Sequence, residues 1–168
     1  TLPQQNWTLL VQAVDHWLFE INDLKQHFRF IPDWRIDDIM ISYAPVGGGV
    51  GPHYDRYDVF LLQASGQRRW KIGQHCDHNT PTSDHDSIRQ ILNFEEQADY
   101  LLNPGDILYV PPGCAHWGTS ESDDCITISI GFRAPSHEQF ISQMCDDVVS
   151  QLTEDLRFTD RGMAQQSH

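Results

Sequence analysis

His53 and Asp55 stand two residues apart in GPHYDRYD, after a Gly-Pro turn and at the opening of a run that alternates like a β-strand. Residues i and i+2 of a strand project from the same face, so this imidazole and this carboxylate can reach one metal ion. A third donor, His116, follows far downstream in YVPPGCAHWG, just past another turn of proline and glycine. Two histidines and a carboxylate compose the facial triad of non-haem Fe(II) oxygenases, which keeps three coordination positions open for co-substrate and oxygen. His53, Asp55 and His116 are therefore the candidate metal ligands and the candidate catalytic centre. The donor set alone also admits Mn, Co, Ni or Zn.

An oxygenase of this kind needs an electron source. 2-Oxoglutarate can supply it while chelating the metal through its keto acid end, and its far carboxylate then calls for a cation, ideally the planar fork of an arginine. In the strand expected over Gln67–Gly73, Arg68, Trp70 and Ile72 share one face, and Gln67, Arg69 and Lys71 the other. The apolar face should point inward, which makes Arg68 the inner cation and leaves Arg69 and Lys71 solvated. A surface ion pair at a strand edge is the plainer alternative for Arg68. By the same parity, Thr127 and Ser129 oppose Ile126, Ile128 and Ile130 in CITISIGF. They are either cavity hydroxyls for a bound dicarboxylate or the solvent face of a half-exposed strand. Met40 and Ser42 project together from the first strand and are candidates for the same cavity. Tyr54, Arg56 and Tyr57, beside the ligands, are candidates for a substrate rim.

The elements that must hold these residues are mostly short strands. Apolar residues at three- and four-residue spacing (Leu10, Val14, Trp17, Leu18, Ile21, Leu24) predict an amphipathic helix from Asn6, its N-cap, to about Phe28, with its tryptophans packed in the core. Strands are expected over 38–45, 57–64, 67–73, 98–103, 107–110 and 125–132, punctuated by Gly and Pro turns. The glycine run GGGVG lacks the Lys-Ser/Thr of a phosphate loop and is read as a turn. The polar stretch 74–89 is expected to be a surface loop. His75, Cys76, His78 and His85 within it are donors for a second metal in principle, but they match no zinc spacing, and the histidines are read as solvated. Ser136 opens a capping box, SHEQ, ahead of a C-terminal helix with an apolar face at Phe140, Ile141, Met144, Val148 and Leu152. Many short strands without alternating helices predict a mainly β double-stranded β-helix, a jelly roll of the cupin type flanked by helices.

Composition narrows the setting. The 168 residues carry 11 basic and 24 acidic side chains, a formal charge of −13, which repels nucleic acid and favours cationic partners or serves solubility alone. Four cysteines without CxxC spacing suit free thiols in a reducing cytoplasm. No apolar run is long enough to span a bilayer. The chain starts at Thr1 without a methionine, so it is expected to be part of a longer protein.

Taken together, SYAPVGGGVGPHYDRYDVFLLQASGQRRWKIG, NPGDILYVPPGCAHWG and ISIGFRAPS, covering most of Ile39–Ser136, resemble the JmjC-type 2-oxoglutarate oxygenases. Within these, the chain is most similar to the bacterial ribosomal oxygenases. The resemblance implies Fe(II) held by His53, Asp55 and His116, 2-oxoglutarate held by Arg68, and Ser42 near the co-substrate or target. It further implies hydroxylation of an arginine in a large-subunit ribosomal protein, and a homodimer in the full-length family. On this reading 1–37 is a helical flank, 38–135 the JmjC barrel, and 136–168 a helix and tail leading to a dimerisation region and a winged-helix domain. The rivals are a non-catalytic cupin-like binding module, or the same chemistry on another side chain or a small molecule.

Overall fold

A computed structural model describes residues 3–83 and 89–156. It holds eight strands and two α-helices: β1 (Leu9–Val11), α1 (Phe19–Asp23), β2 (Ile36–Ala44), β3 (Asp58–Ser65), β4 (Arg68–His75), β5 (Ala98–Leu102), β6 (Ile107–Val110), β7 (Cys114–Ser120), β8 (Cys125–Phe132) and α2 (His137–Ser150). All pairings are antiparallel, in a five-stranded sheet of order β1-β2-β8-β3-β6 and a three-stranded sheet of order β5-β4-β7. The fold is the mainly β jelly roll that the strand pattern predicts. None of the described helices is long and apolar enough to cross a membrane.

The large sheet is buried on both faces, because alternate residues of its strands serve two layers. Ile39, Ile128, Ile130 and Phe132 pack on Phe28, with Ile21, Leu24, Ile31 and Phe60 around them. Val59 and Leu61, one residue out of phase with Phe60, pack instead with Trp70, Leu102 and Val110, a cluster that joins the two sheets. Ile128 and Ile130 of β8 thus serve the outer cluster, and Thr127 and Ser129 line the cavity on the opposite face.

The N-terminal flank differs from its expected form. No helix runs from Asn6 to Phe28. Leu9–Val11 pairs with Ile41–Tyr43 as a strand, and only Phe19–Asp23 is α-helical, between 3-10 turns at Val14–His16 and Leu24–Phe28. Asn6 caps nothing: it has φ 61°, and its N–H donates to the Val46 carbonyl. Strand pairing satisfies the backbone of Leu9–Val11, and left-handed Ala13 (φ 53°) breaks any continuous helix. Trp17, expected in the core, is 84% exposed.

A second departure is β7. The sequence places His116 beyond a turn, whereas the structure builds it into a strand paired with β4. Gly49, from the glycine run, lies flush against this strand, where a Cβ would overlap the Gly118 carbonyl. In the 74–89 loop, His75 and His78 are exposed, Cys76 is buried, and His85 lies outside the described residues.

The chain divides into two compact units, Thr1–Ala134 and Pro135–His168. In the second, Ser136 and Gln139 close the expected capping box at the start of α2, and Phe140, Ile141, Met144, Val148 and Leu152 are exposed.

Candidate metal centre

His53, Asp55 and His116 converge: one donor atom from each lies within 4.8 Å of the others. They are the one group of three or more potential metal donors at such spacing among the described residues. The backbone fixes this meeting. The His53 N–H donates to the His116 carbonyl at 3.0 Å and the His116 N–H to the His53 carbonyl at 2.8 Å, while the Asp55 carbonyl accepts from the Gly113 N–H at 2.7 Å. The chain segments bearing the ligands are thus braced directly against each other.

Side-chain hydrogen bonds choose the tautomers. His53 Nδ1 faces the Gly51 carbonyl and His116 Nδ1 faces the Cys114 carbonyl, each at 3.0 Å. A carbonyl only accepts, so both Nδ1 atoms carry hydrogen and both Nε2 lone pairs remain for a metal. His116 Nε2 lies 3.6 Å from Asp55 Oδ2, and the two imidazole rings are 4.2 Å apart between centroids. Burial pushes the His116 pKa down to about 4, helped by neighbouring His53 and opposed by the Cys114 carbonyl and Asp55. The ring is therefore neutral at ordinary pH, as a ligand must be.

The cluster opens into a cavity of about 350 Å³ whose lining includes Met40, Ser42, Tyr54, Tyr57, Arg68, Trp70, Thr127 and Ser129. Arg68 is 4% exposed, and its Nε and Nη2 have no hydrogen-bond partner among the described residues. A buried guanidinium without an acceptor is costly, and a carboxylate would satisfy it. Across the strand, Arg69 pairs with Asp99 and Glu121, and Lys71 with Glu96, on the outer face.

The hydroxyls divide. Thr127 Oγ1 donates to Gln63 Oε1 at 2.9 Å. Ser42 Oγ donates to the Thr127 carbonyl at 3.4 Å, whereas Ser129 has no side-chain hydrogen bond among the described residues. Tyr54 and Tyr57 line the cavity. Burial, with the Asp55 charge beside it, pushes the Tyr57 phenol well above its usual range despite the Arg133 guanidinium 5.4 Å over its ring. Arg56, the third residue expected at the rim, is exposed and is not among the residues that line the cavity.

Sequence reasoning missed several lining residues. Asp38 precedes Met40 and Ser42 at strand spacing, so parity would have found it. Thr8, Leu10 and Gln12 alternate in the same way on and beside β1, a signal hidden by the helical reading. Gln63, fully buried and outside the lining, accepts from Thr127 and carried no local signal at all.

Comparison with known proteins matches the JmjC domain model to residues 23–140. The ribosomal protein uL16 3-hydroxylase of Escherichia coli is 47% identical over 154 residues, covering 88% of this chain and 39% of that protein. The probable ribosomal oxygenase of Haemophilus influenzae is 49% identical over 141 residues, covering 83% and 34% respectively. Among solved structures, YcfD, a ribosomal oxygenase from E. coli in complex with cobalt and 2-oxoglutarate, has a TM-score of 0.82 at 42% identity, covering 100% of this chain and 43% of that one. A YcfD complex with cobalt and succinic acid has a TM-score of 0.80 at 41% identity, covering 99% and 42%. The chain spans between a third and a half of the length of these relatives.

Proposed function

Because this chain belongs to the JmjC domain family, we propose that it is the catalytic part of a 2-oxoglutarate- and Fe(II)-dependent protein hydroxylase acting on an arginine of a large-subunit ribosomal protein. The observation that carries this reading is the pairing, in one cavity, of a His-Asp-His cluster with a buried Arg68 whose Nε and Nη2 meet no acceptor among the described residues. The donor set suits a divalent metal with open positions, and the guanidinium suits a dicarboxylic keto acid.

His53, Asp55 and His116 would hold the iron, and Arg68 the far carboxylate of the co-substrate. Bound there, the two supply what no side chain has, the oxidation of an unactivated C–H bond by dioxygen with the keto acid as co-reductant. The chain's own part is orientation. The two carbonyls that accept from Nδ1 keep the imidazoles aimed, and the walls from Val59, Leu61 and Trp70 hold the site dry. Ser42 and Ser129 offer hydroxyls beside the co-substrate path. Asp38, whose Oδ2 accepts the Ala13 N–H at 3.0 Å, presents a carboxylate to the cavity that suits a cationic target side chain, and the Tyr57 ring lies in the same wall. The names of the relatives, one a uL16 3-hydroxylase and one solved with succinic acid, agree with this chemistry.

The test is incubation of the protein with Fe(II), 2-oxoglutarate and isolated ribosomal proteins, followed by mass spectrometry. One added oxygen on an arginine-containing peptide, with matching succinate, is expected. His53→Ala and His116→Ala should abolish both signals. Full turnover in those variants, or no oxygen added by the unaltered protein, overturns the reading.

A further inference from the structure

Trp70 carries a donor for which the described residues supply no acceptor. The residue is 6% exposed, and its indole N–H has no hydrogen-bond partner among the described residues. Buried indole nitrogens normally find one. The ring is not free to turn toward one either, because it lies against the bare backbone of Gly118. A Cβ at that position would sit 2.7 to 2.9 Å from three of its carbons.

Its neighbours define what is missing. The Arg68 guanidinium carbon lies 5.9 Å from the indole centroid, and the His116 ring lies 5.8 Å away between centroids. Trp70 therefore stands between the buried cation and a metal ligand, and all three line one cavity. Arg68 Nε, Arg68 Nη2 and Trp70 Nε1 are the only side-chain nitrogens or oxygens wholly shielded from solvent that have no partner among the described residues. All three are donors, and they come from two side chains at i and i+2 on one face of β4. Among the described residues the other fully shielded side-chain polar atoms are paired, and what would satisfy these donors is one acceptor with several lone pairs and a negative charge. A carboxylate has both properties, whereas a single water has two lone pairs and no charge.

We propose that Trp70 is a second binding residue for the distal carboxylate of 2-oxoglutarate, its indole N–H donating to one oxygen while Arg68 holds the other. This rests on the cofactor reading above and adds a residue to it. Two donors on the cavity wall would also make the site selective for chain length, since a shorter keto acid held by His53, Asp55 and His116 through the metal could not reach both.

Calorimetric titration of the zinc-loaded protein tests this, because zinc is redox-inert and supports binding without turnover. Trp70→Phe keeps an aromatic ring and removes the N–H. It should weaken 2-oxoglutarate binding about tenfold or more, the loss of one hydrogen bond to a charged group. Binding of pyruvate, which lacks the distal carboxylate, should be equal in the two proteins, as should zinc affinity. In the unaltered protein the indole proton resonance of Trp70 should move downfield with 2-oxoglutarate and stay in place with pyruvate. Where Trp70→Phe does not fold, a benzothiophene side chain at position 70, of the same shape but without the N–H, makes the same comparison. Unchanged 2-oxoglutarate affinity, or an equal loss for both acids, overturns the proposal and leaves the cofactor reading standing. An unaltered protein that takes up zinc but binds no 2-oxoglutarate overturns both.

Discussion

Asp55 is the one charged ligand beside two imidazoles, and it stands 3.6 Å from His116 Nε2. Replacing it by asparagine keeps the shape and removes the charge that a divalent ion needs. Partners that merely orient metal ligands are worth about 10 to 100-fold in affinity, so Asp55→Asn should cost more than about 100-fold. Calorimetry with zinc or cobalt checks this, with circular dichroism to show that the fold persists. Arg68 gives the opposite kind of prediction. Its buried guanidinium has no described partner, so it burdens the ligand-free protein. Arg68→Met should raise the unfolding free energy by about 1 kcal/mol and abolish the rise in Tm that 2-oxoglutarate produces in the unaltered protein. A variant that is both less stable and still stabilised by 2-oxoglutarate would contradict the account. The sequence showed Arg68 on the inner face because its neighbours at 70 and 72 are apolar, a signal carried within five residues.

At the scale of elements, the flank is tied to β2 by two aspartates. Asp15, 5% exposed, accepts the Ile39 N–H at 2.9 Å and pairs with the Lys25 ammonium, and Asp38 accepts the Ala13 N–H. Burial pushes the Asp15 carboxyl up, yet the Lys25 and Ile39 hydrogen bonds outweigh it and hold it below the usual carboxylate range. A group whose folded pKa is depressed contributes stability above its unfolded pKa, near 4, and loses that contribution as pH falls through the folded value. Asp15→Asn should therefore cost about 2 kcal/mol at neutral pH and show a smaller loss of stability below about pH 4 than the parent protein. Denaturant melts across that range measure it. Gly118 acts on the other sheet. An alanine there must displace Trp70, which packs beside His116, so Gly118→Ala should destabilise by about 1 to 3 kcal/mol and weaken metal binding as well. β4 and β8 were legible because residues of different character alternate along them. β1 and β7 were not. β1 is three residues inside a helix-like periodicity, and β7 runs Cys-Ala-His-Trp-Gly-Thr-Ser, with small or polar residues at its inward positions.

For the whole molecule, the formal charge of −13 sets how partners approach. A cationic protein target should be drawn in at low ionic strength, and its association rate should fall steeply between about 0.05 and 0.5 M salt as the Debye length shrinks. Turnover of a short neutral peptide with the same target residue should change far less over that range. Stopped-flow binding at several salt concentrations separates the two, and an association rate indifferent to salt would remove any role for the acidic surface. Charge is additive along the chain, which is why this property needs no coordinates.

What the chain determined by itself was local. Ligand types at i and i+2, an arginine between apolar neighbours, the capping box at Ser136 and the strands of β3, β4 and β8 all depend on residues close in sequence. Tertiary structure decided the rest. Backbone hydrogen bonds brought His116 to His53, pairing with β2 turned Leu9–Val11 into a strand, and Gln63 on β3 supplied the partner for Thr127 on β8. Each of these joins residues far apart in the chain, and a contact of that kind is chosen by which strands pair and which faces must be buried, quantities that no short window of residues contains.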